Sequence, residues 1–345
     1  MNNNLKNIAE QAGVSVMTVS NVLKRKEGHY SQETFEKVMK VAEELGYVPN
    51  MAAKYLRKGK MGLIALVLPD IMNPYLSELS QFVIEEASRR KYTVILSFTD
   101  NDPEILRSIV SGALQLPVDG IMMAPHLLDL SEFRHTVPVV LYGERQQTTV
   151  FDNIVLDNIG IARSATKHLI SLGRKNIASI GMTSDTALGN MPQQRAEGFI
   201  REMESAGLTI NSEWMIPVAV PNYHRDHGAE VMEKLLSSKN KPDAVFCFND
   251  LLALGAIKVL IDKGYRVPED VAVIGVDDII DSRYYNPSLS TIAIDRREAA
   301  SLGVNLLLDR INGKRTDSPK YFEPGYSLIP RETTLGKGYQ QISDR

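Results

Sequence analysis

Apolar residues recur at helical spacing through the first 45 positions. Leu5, Ile8, Ala9 and Ala12 form one stripe, which Gly13-Val14-Ser15 interrupts. Ser15 predicts the N-cap of a second helix, Val16–Leu23, with Val19, Val22 and Leu23 inward. A polar loop covers Lys24–Tyr30. Ser31, followed by Glu33 and Thr34, opens a third helix that runs to about Leu45, with Phe35, Val38, Met39, Ala42 and Leu45 three or four apart. Gly46 stops it and Pro49 prevents its resumption. Asn50–Lys60 is helix-compatible but too short to hold helicity alone in water.

From Met61 the period changes. Apolar runs stand at Leu63–Leu68, Thr93–Phe98, Gly120–Ala124, Val137–Tyr142, Ile177–Ile180, Ala244–Phe248 and Val271–Val276. Helical patterns lie between most of them: Tyr75–Arg90, Glu104–Leu116, Gly160–Leu172, Gln193–Ala206, Asp226–Ser237, Leu251–Lys263 and Arg296–Ile311. Continuous apolar strands alternating with helices predict parallel sheets wrapped by helices. The stretch is long for one sheet, so two sheet domains are expected.

Composition adds little until the charge is divided. Of 345 residues, 43% are hydrophobic and 23% charged, which excludes wholesale disorder, and the net charge is −3. Residues 1–60 carry 10 basic and 6 acidic side chains, whereas the remaining 285 carry 29 and 36. A short basic head on an acidic body is what a polyanion-binding module produces. The single cysteine, Cys247, allows neither an intramolecular disulfide nor a cysteine-based zinc site. No stretch approaches a membrane span, and the polar N-terminus lacks a signal-peptide core, so a cytoplasmic location is expected.

Helix, tight glycine turn and helix is the helix-turn-helix plan, in which the second helix lies in the major groove of DNA. Val16, Met17 and Asn21 are placed to face base edges. Ser15, Thr18 and Ser20 offer short hydroxyl donors to phosphate oxygens. The run Leu5-Lys6-Asn7-Ile8-Ala9-Glu10-Gln11-Ala12-Gly13-Val14-Ser15-Val16-Met17-Thr18-Val19-Ser20-Asn21-Val22-Leu23 closely resembles the head of the LacI/GalR family of bacterial repressors. The resemblance continues in order through Gly46-Tyr47-Val48-Pro49-Asn50, Pro69-Asp70-Ile71-Met72-Asn73-Pro74-Tyr75, Val155-Leu156-Asp157-Asn158, Phe248-Asn249-Asp250, Gly275-Val276-Asp277-Asp278 and Leu328-Ile329-Pro330-Arg331-Glu332-Thr333-Thr334.

The resemblance implies an all-α helix-turn-helix head, residues 1–48, and a hinge helix at 49–60. It further implies an α/β body like the periplasmic sugar-binding proteins, with two doubly wound parallel-sheet lobes. The expected lobes are 61–160 plus 291–321 and 161–290 plus 322–335, with a polar tail at 336–345. The implied partners are a near-palindromic double-stranded DNA operator, a second copy of the chain and a small-molecule effector. The tail has no leucine heptads, so a homodimer is expected. Leu5, His29, Ser31, Asn50, Ala53 and Leu56 join the DNA-binding set, Leu56 as the wedge that enters the minor groove. Where most members carry Arg this chain has Asn21, whose amide better matches adenine.

Polar groups at the carboxyl ends of strands line ligand crevices in open α/β sheets. Asp70 follows one such strand, and Tyr75 lies where the family sets a ring against the effector. His126 is either a ligand donor or a loop residue. Arg195 matches the family's pocket arginine, which clamps oxygens, and Tyr223 an aromatic wall; Asn249 and Asp277 end two strands. Gly189 and Met191 stand where purine-binding members carry polar base readers, which favours a sugar-like effector. No nucleotide-binding, hydrolase or zinc-protease motif occurs, so neither an enzyme nor a cofactor is expected. His224 and His227 lack a third metal ligand in sequence. A regulator that needs a corepressor or a protein partner is the alternative; a transport protein is less compatible with a DNA-binding head.

Overall fold

A computed structural model of the chain describes residues 5–26, 28–47, 60–109, 118–124, 137–143, 151–182, 191–219 and 223–337. It divides into two compact units, Met1–Met61 and Gly62–Arg345.

The first unit holds α1 (Leu5–Ala12), α2 (Val16–Leu23) and α3 (Gln32–Glu44). Gly13 adopts φ +62°, which turns the chain between α1 and α2 without a Cβ penalty. Ser15 and Ser31 cap α2 and α3, accepting the amides of Thr18 at 3.0 Å and Thr34 at 3.2 Å. Ile8, Ala9, Ala12, Val19, Val22, Val38 and Ala42 form a small buried core.

The second unit contains two six-stranded sheets. The first is ordered β11-β5-β4-β3-β1-β2 and is parallel throughout. Its strands are β1 (Leu63–Leu68), β2 (Thr93–Phe98), β3 (Gly120–Met123), β4 (Val139–Gly143), β5 (Asp152–Val155) and β11 (Tyr321–Phe322). The second is ordered β12-β10-β9-β8-β6-β7, parallel except for β12 against β10. It comprises β6 (Ile177–Met182), β7 (Met215–Pro217), β8 (Ala244–Cys247), β9 (Ala272–Asp277), β10 (Ser290–Ile294) and β12 (Tyr326–Ile329). The covering helices are α4 (Pro74–Arg89), α5 (Pro103–Ser108), α6 (Asn158–Ser171), α7 (Met191–Ser205), α8 (Arg225–Ser237), α9 (Asp250–Asp262), α10 (Asp281–Tyr284), α11 (Arg296–Ile311) and α12 (Glu332–Leu335).

Three crossings join the lobes: after β5, between β10 and α11, and between β11 and β12. All three differ from expectation, the first because the division expected at 160/161 falls inside α6, which packs on the second lobe. The division expected at 290/291 falls inside β10, which pairs with β9 from Ser290 to Ala293, so the crossing follows Ile294. Phe322 pairs with Ile154 in the first sheet, so the last crossing follows it. β5, β7, β10, β11 and β12 escaped the apolar-run reading because they are short and all lie at or next to a sheet edge. β5 even buries Asp152, which Arg310 Nε meets at 2.8 Å. β2 was read as a buried strand from its apolar run, yet it is an edge strand and leaves Leu96 exposed. Of the helix expected at 104–116, only the part to Ser108 lies in a described α-helix.

Candidate functional site

In both sheets the first strand is flanked by strands wound in opposite directions, β3 and β2 around β1, β8 and β7 around β6. These are topological switch points, where the carboxyl ends of strands open a crevice. A cleft of about 830 Å³, partly open to solvent, lies there between the lobes.

Asn73 caps α4 by accepting the Tyr75 amide at 3.0 Å, and Pro74 occupies the first turn. That start buries Tyr75, whose hydroxyl hydrogen-bonds that of Tyr142 at the end of β4. Burial holds both phenols well above their ordinary range. From the second lobe, Asp277 ends β9 with φ +119° and faces the same space. Its carboxylate accepts no hydrogen bond from the described residues. Burial pushes its pKa up to about 7, against the pull of Arg195 and Arg296.

The cleft brings together Asp70, Tyr75, Arg195, Tyr223, Asn249 and Asp277, six of the seven effector positions expected from sequence. His126 lies outside the described residues. Two of the six have duties other than those expected. Arg195 is 3% exposed; its Nε donates to Asn158 Oδ1 at 3.0 Å and Nη1 to the Phe248 carbonyl. Part of the guanidinium expected to clamp the effector is therefore spent on joining α6 to β8. Asn249 caps α9: its Oδ1 accepts the Leu252 amide at 2.9 Å and its Nδ2 donates to the Tyr223 carbonyl at 3.1 Å. Tyr223 lines the cleft, with its hydroxyl anchored on the Gly181 carbonyl. Beside Asn249, Asp250 is a buried acceptor for Thr291, Ser282 and the Ile279 amide.

Sequence reasoning missed Tyr142, although its place at the end of a strand was the available signal. It also missed Glu78 and Arg296, which no local pattern marks. At the cleft mouth His224 Nε2 stands 3.8 Å from Asp70 Oδ2, across the two lobes. Among the described residues no group of three His, Cys, Asp or Glu could hold a metal ion.

On the head, Val16 is 45% and Met17 73% exposed, while Asn21 is half-buried. Ser15 and Thr18 share a hydroxyl contact of 2.9 Å, and Ser20 accepts Lys24 Nζ at 2.7 Å. Leu5 is half-buried and packs its side chain on the head core. His29 is exposed; Ser31 is the α3 cap. Lys24, Arg25 and Lys26 form an exposed basic run that the sequence reading passed over as polar loop. Asn50, Ala53 and Leu56 lie outside the described residues.

Two family descriptions match the chain: bacterial regulatory proteins of the lacI family over residues 4–50, and a periplasmic binding protein-like domain over 166–334. The chain is 36% identical over 325 residues to the HTH-type transcriptional repressor PurR of Haemophilus influenzae (strain PittEE), covering 92% of this chain and 94% of that protein. The chain belongs to the lacI family. PurR of Pasteurella multocida (strain Pm70) is 34% identical over 90% of this chain and 92% of its own length. Among solved lacI-family structures, the lac repressor dimer bound to operator and the anti-inducer ONPF superimposes with TM-score 0.82 at 26% identity, covering 96% and 99% of the two chains. The CelR–cellobiose complex gives TM-score 0.71 at 28% identity, covering 96% and 99%. As a lacI-family member the chain is a DNA-binding transcriptional regulator, built as a helix-turn-helix head and a two-lobed α/β body. No described helix is long and apolar enough to cross a membrane.

Proposed function

We propose that the protein is a homodimeric repressor of carbohydrate-utilisation genes that binds a near-palindromic operator, its affinity set by a small sugar-like effector in the cleft. One observation carries the effector reading: an Asp277 carboxylate that accepts no hydrogen bond from the described residues faces two tyrosines across a partly open cleft. An acceptor between aromatic faces suits a neutral ligand rich in hydroxyl donors. The apolar Met191 lines the same wall and offers no hydrogen bond to a base edge. A second reading, a purine effector, is favoured by the PurR relatives. Exposed Ile84 on α4 and Leu96 on the neighbouring edge strand β2 support pairing with a second copy.

In the head, Val16, Met17 and Asn21 read bases. Ser15, Thr18, Ser20, His29, Ser31 and the Leu5 backbone set the register on phosphates. Asn50, Ala53 and Leu56 supply the hinge by resemblance. Selection of bound duplexes from a random pool tests this: the recovered sites should share two half-sites related by near two-fold symmetry. Unrelated sequences would overturn it. Calorimetric titration of the intact protein with monosaccharides, disaccharides, sugar phosphates, hypoxanthine and guanine tests the effector. Binding by a saccharide upholds the first reading, binding by a purine base the second, and silence from both classes sinks both.

A further inference from the structure

Arg296 opens α11, and a cation at the first turn of a helix opposes the helix dipole. Its contacts account for the choice. The side chain is only 11% exposed. Nη1 donates to the Asp277 carbonyl and Nη2 to the Asp278 carbonyl at 2.9 Å. The same guanidinium lies 3.2 Å from Glu78 Oε2 and 5.5 Å from the centroid of the Tyr75 ring. The other Glu78 oxygen accepts the Ile280 amide at 3.0 Å. Glu78 and Tyr75 belong to α4 of the first lobe; residues 277–280 form the turn after β9 in the second. A single planar fork therefore holds both lobes where the chain crosses between them.

The turn it grips is strained. Asp277 and Asp278 stand at φ +119° and +53°, a region that side chains with a Cβ rarely adopt. Among the described residues no donor holds the Asp277 side chain, so the backbone does most to set where its carboxylate lies. Burial and strain persist only when the surroundings over-determine them. The surroundings include the two carbonyl contacts of Arg296 and the Glu78 contact to Ile280, beside Asp250 on the Ile279 amide, Thr291 on the Asp278 amide, and Arg331 and Arg283 on the Asp278 carboxylate; of these, the Arg296 and Glu78 contacts are the ones that reach across from the first lobe.

We propose that Arg296 is a positioning residue. It couples closure of the lobes to the presentation of Asp277 and Tyr75, one from each lobe, to the effector. The proposal deepens the reading of the cleft as an effector site and rests on it. A lysine cannot replace the fork, because a single ammonium does not span two carbonyls and stack on a ring in one geometry.

The test needs no effector, so its failure is separable from a failed ligand search. Amide exchange and solution scattering are measured on the intact protein, wild type against Arg296→Met, Arg296→Lys and Glu78→Ala. Arg296→Met should speed exchange at least tenfold in 74–80 and 276–282 together and enlarge the radius of gyration, while the carboxyl-terminal turns of α8 and α9, away from that segment, exchange as before. Arg296→Lys should keep part of the protection at 74–80 through Glu78 but lose it at 276–282. Glu78→Ala leaves both carbonyl contacts in place but removes the carboxylate beside Arg296; it should release the Ile280 amide and speed exchange at 276–282 less than Arg296→Met does. Wild-type exchange in both segments of Arg296→Met overturns the proposal. So does uniform acceleration through the second lobe, which would mean a merely structural role, or full protection restored by lysine.

Discussion

Asp277→Asn should remove a pH-dependent weakness from the protein. The folded carboxyl holds its proton to about pH 7, whereas an aspartate in the unfolded chain releases it near 3.8. The native state therefore binds the proton more tightly, and wild-type stability should be lost as pH rises from about 4 to about 7 and be level above that. At about 1.4 kcal/mol for each pH unit, the interval from 3.8 to about 7 gives about 4 kcal/mol at most. Asparagine keeps the size and one acceptor but cannot ionise. The assay is urea unfolding of both full-length proteins between pH 4 and 8. Trp214, the single tryptophan, is buried in the same lobe as Asp277 and reports its unfolding. The variant should gain on the wild type steadily up to about pH 7 and hold its lead beyond. A constant difference across the range would refute the reasoning, since it would place the proton elsewhere.

Arg331→Ala should cost up to about 3 kcal/mol, because it removes the buried partner of the Asp278 carboxylate, both side chains of that pair being 7% exposed, and leaves only the more exposed Arg283 at 3.2 Å; denaturant unfolding would register it. Gly255→Ala should destabilise by at least about 2 kcal/mol in the same assay, since a Cβ there would stand 1.9 Å from the Arg225 carbonyl in the backbone of α8, which cannot step aside cheaply. Ser15→Ala should cost the head about 1 kcal/mol by exposing the amides that open α2, read as faster exchange at Thr18 with the body unaffected. Met17→Ala should leave the melting of the head unchanged, because the side chain is 73% exposed, and should alter base preference in each operator half-site.

The two halves of the molecule differ in how much of them the sequence could disclose. The head was legible almost to the residue, because its three helices are set by local signals: a glycine turn, two serine caps and apolar positions three or four apart. The alternation of long apolar strands and helices likewise announced two parallel sheets. The short strands escaped: Asp152–Val155 carries a buried acid made tolerable by partners far along the chain, Arg310, Arg315 and the Lys320 amide. The order of the strands and the place of the crossings also came from tertiary structure, since β10 reads like its neighbours and is claimed by β9 through pairing. In the cleft, the ends of strands identified which residues would line the space but not what they would do there. Asn249 and Arg195 resembled ligand groups and proved to be partly committed to a helix cap and to an internal carbonyl. Arg296 and Glu78 resembled surface charges and proved to hold the turn beneath the site. Local pattern determines which element a residue joins, because capping and periodicity act over a few positions. Partners far apart in sequence determine whether its polar atoms remain free, because only packing decides which groups lose water together.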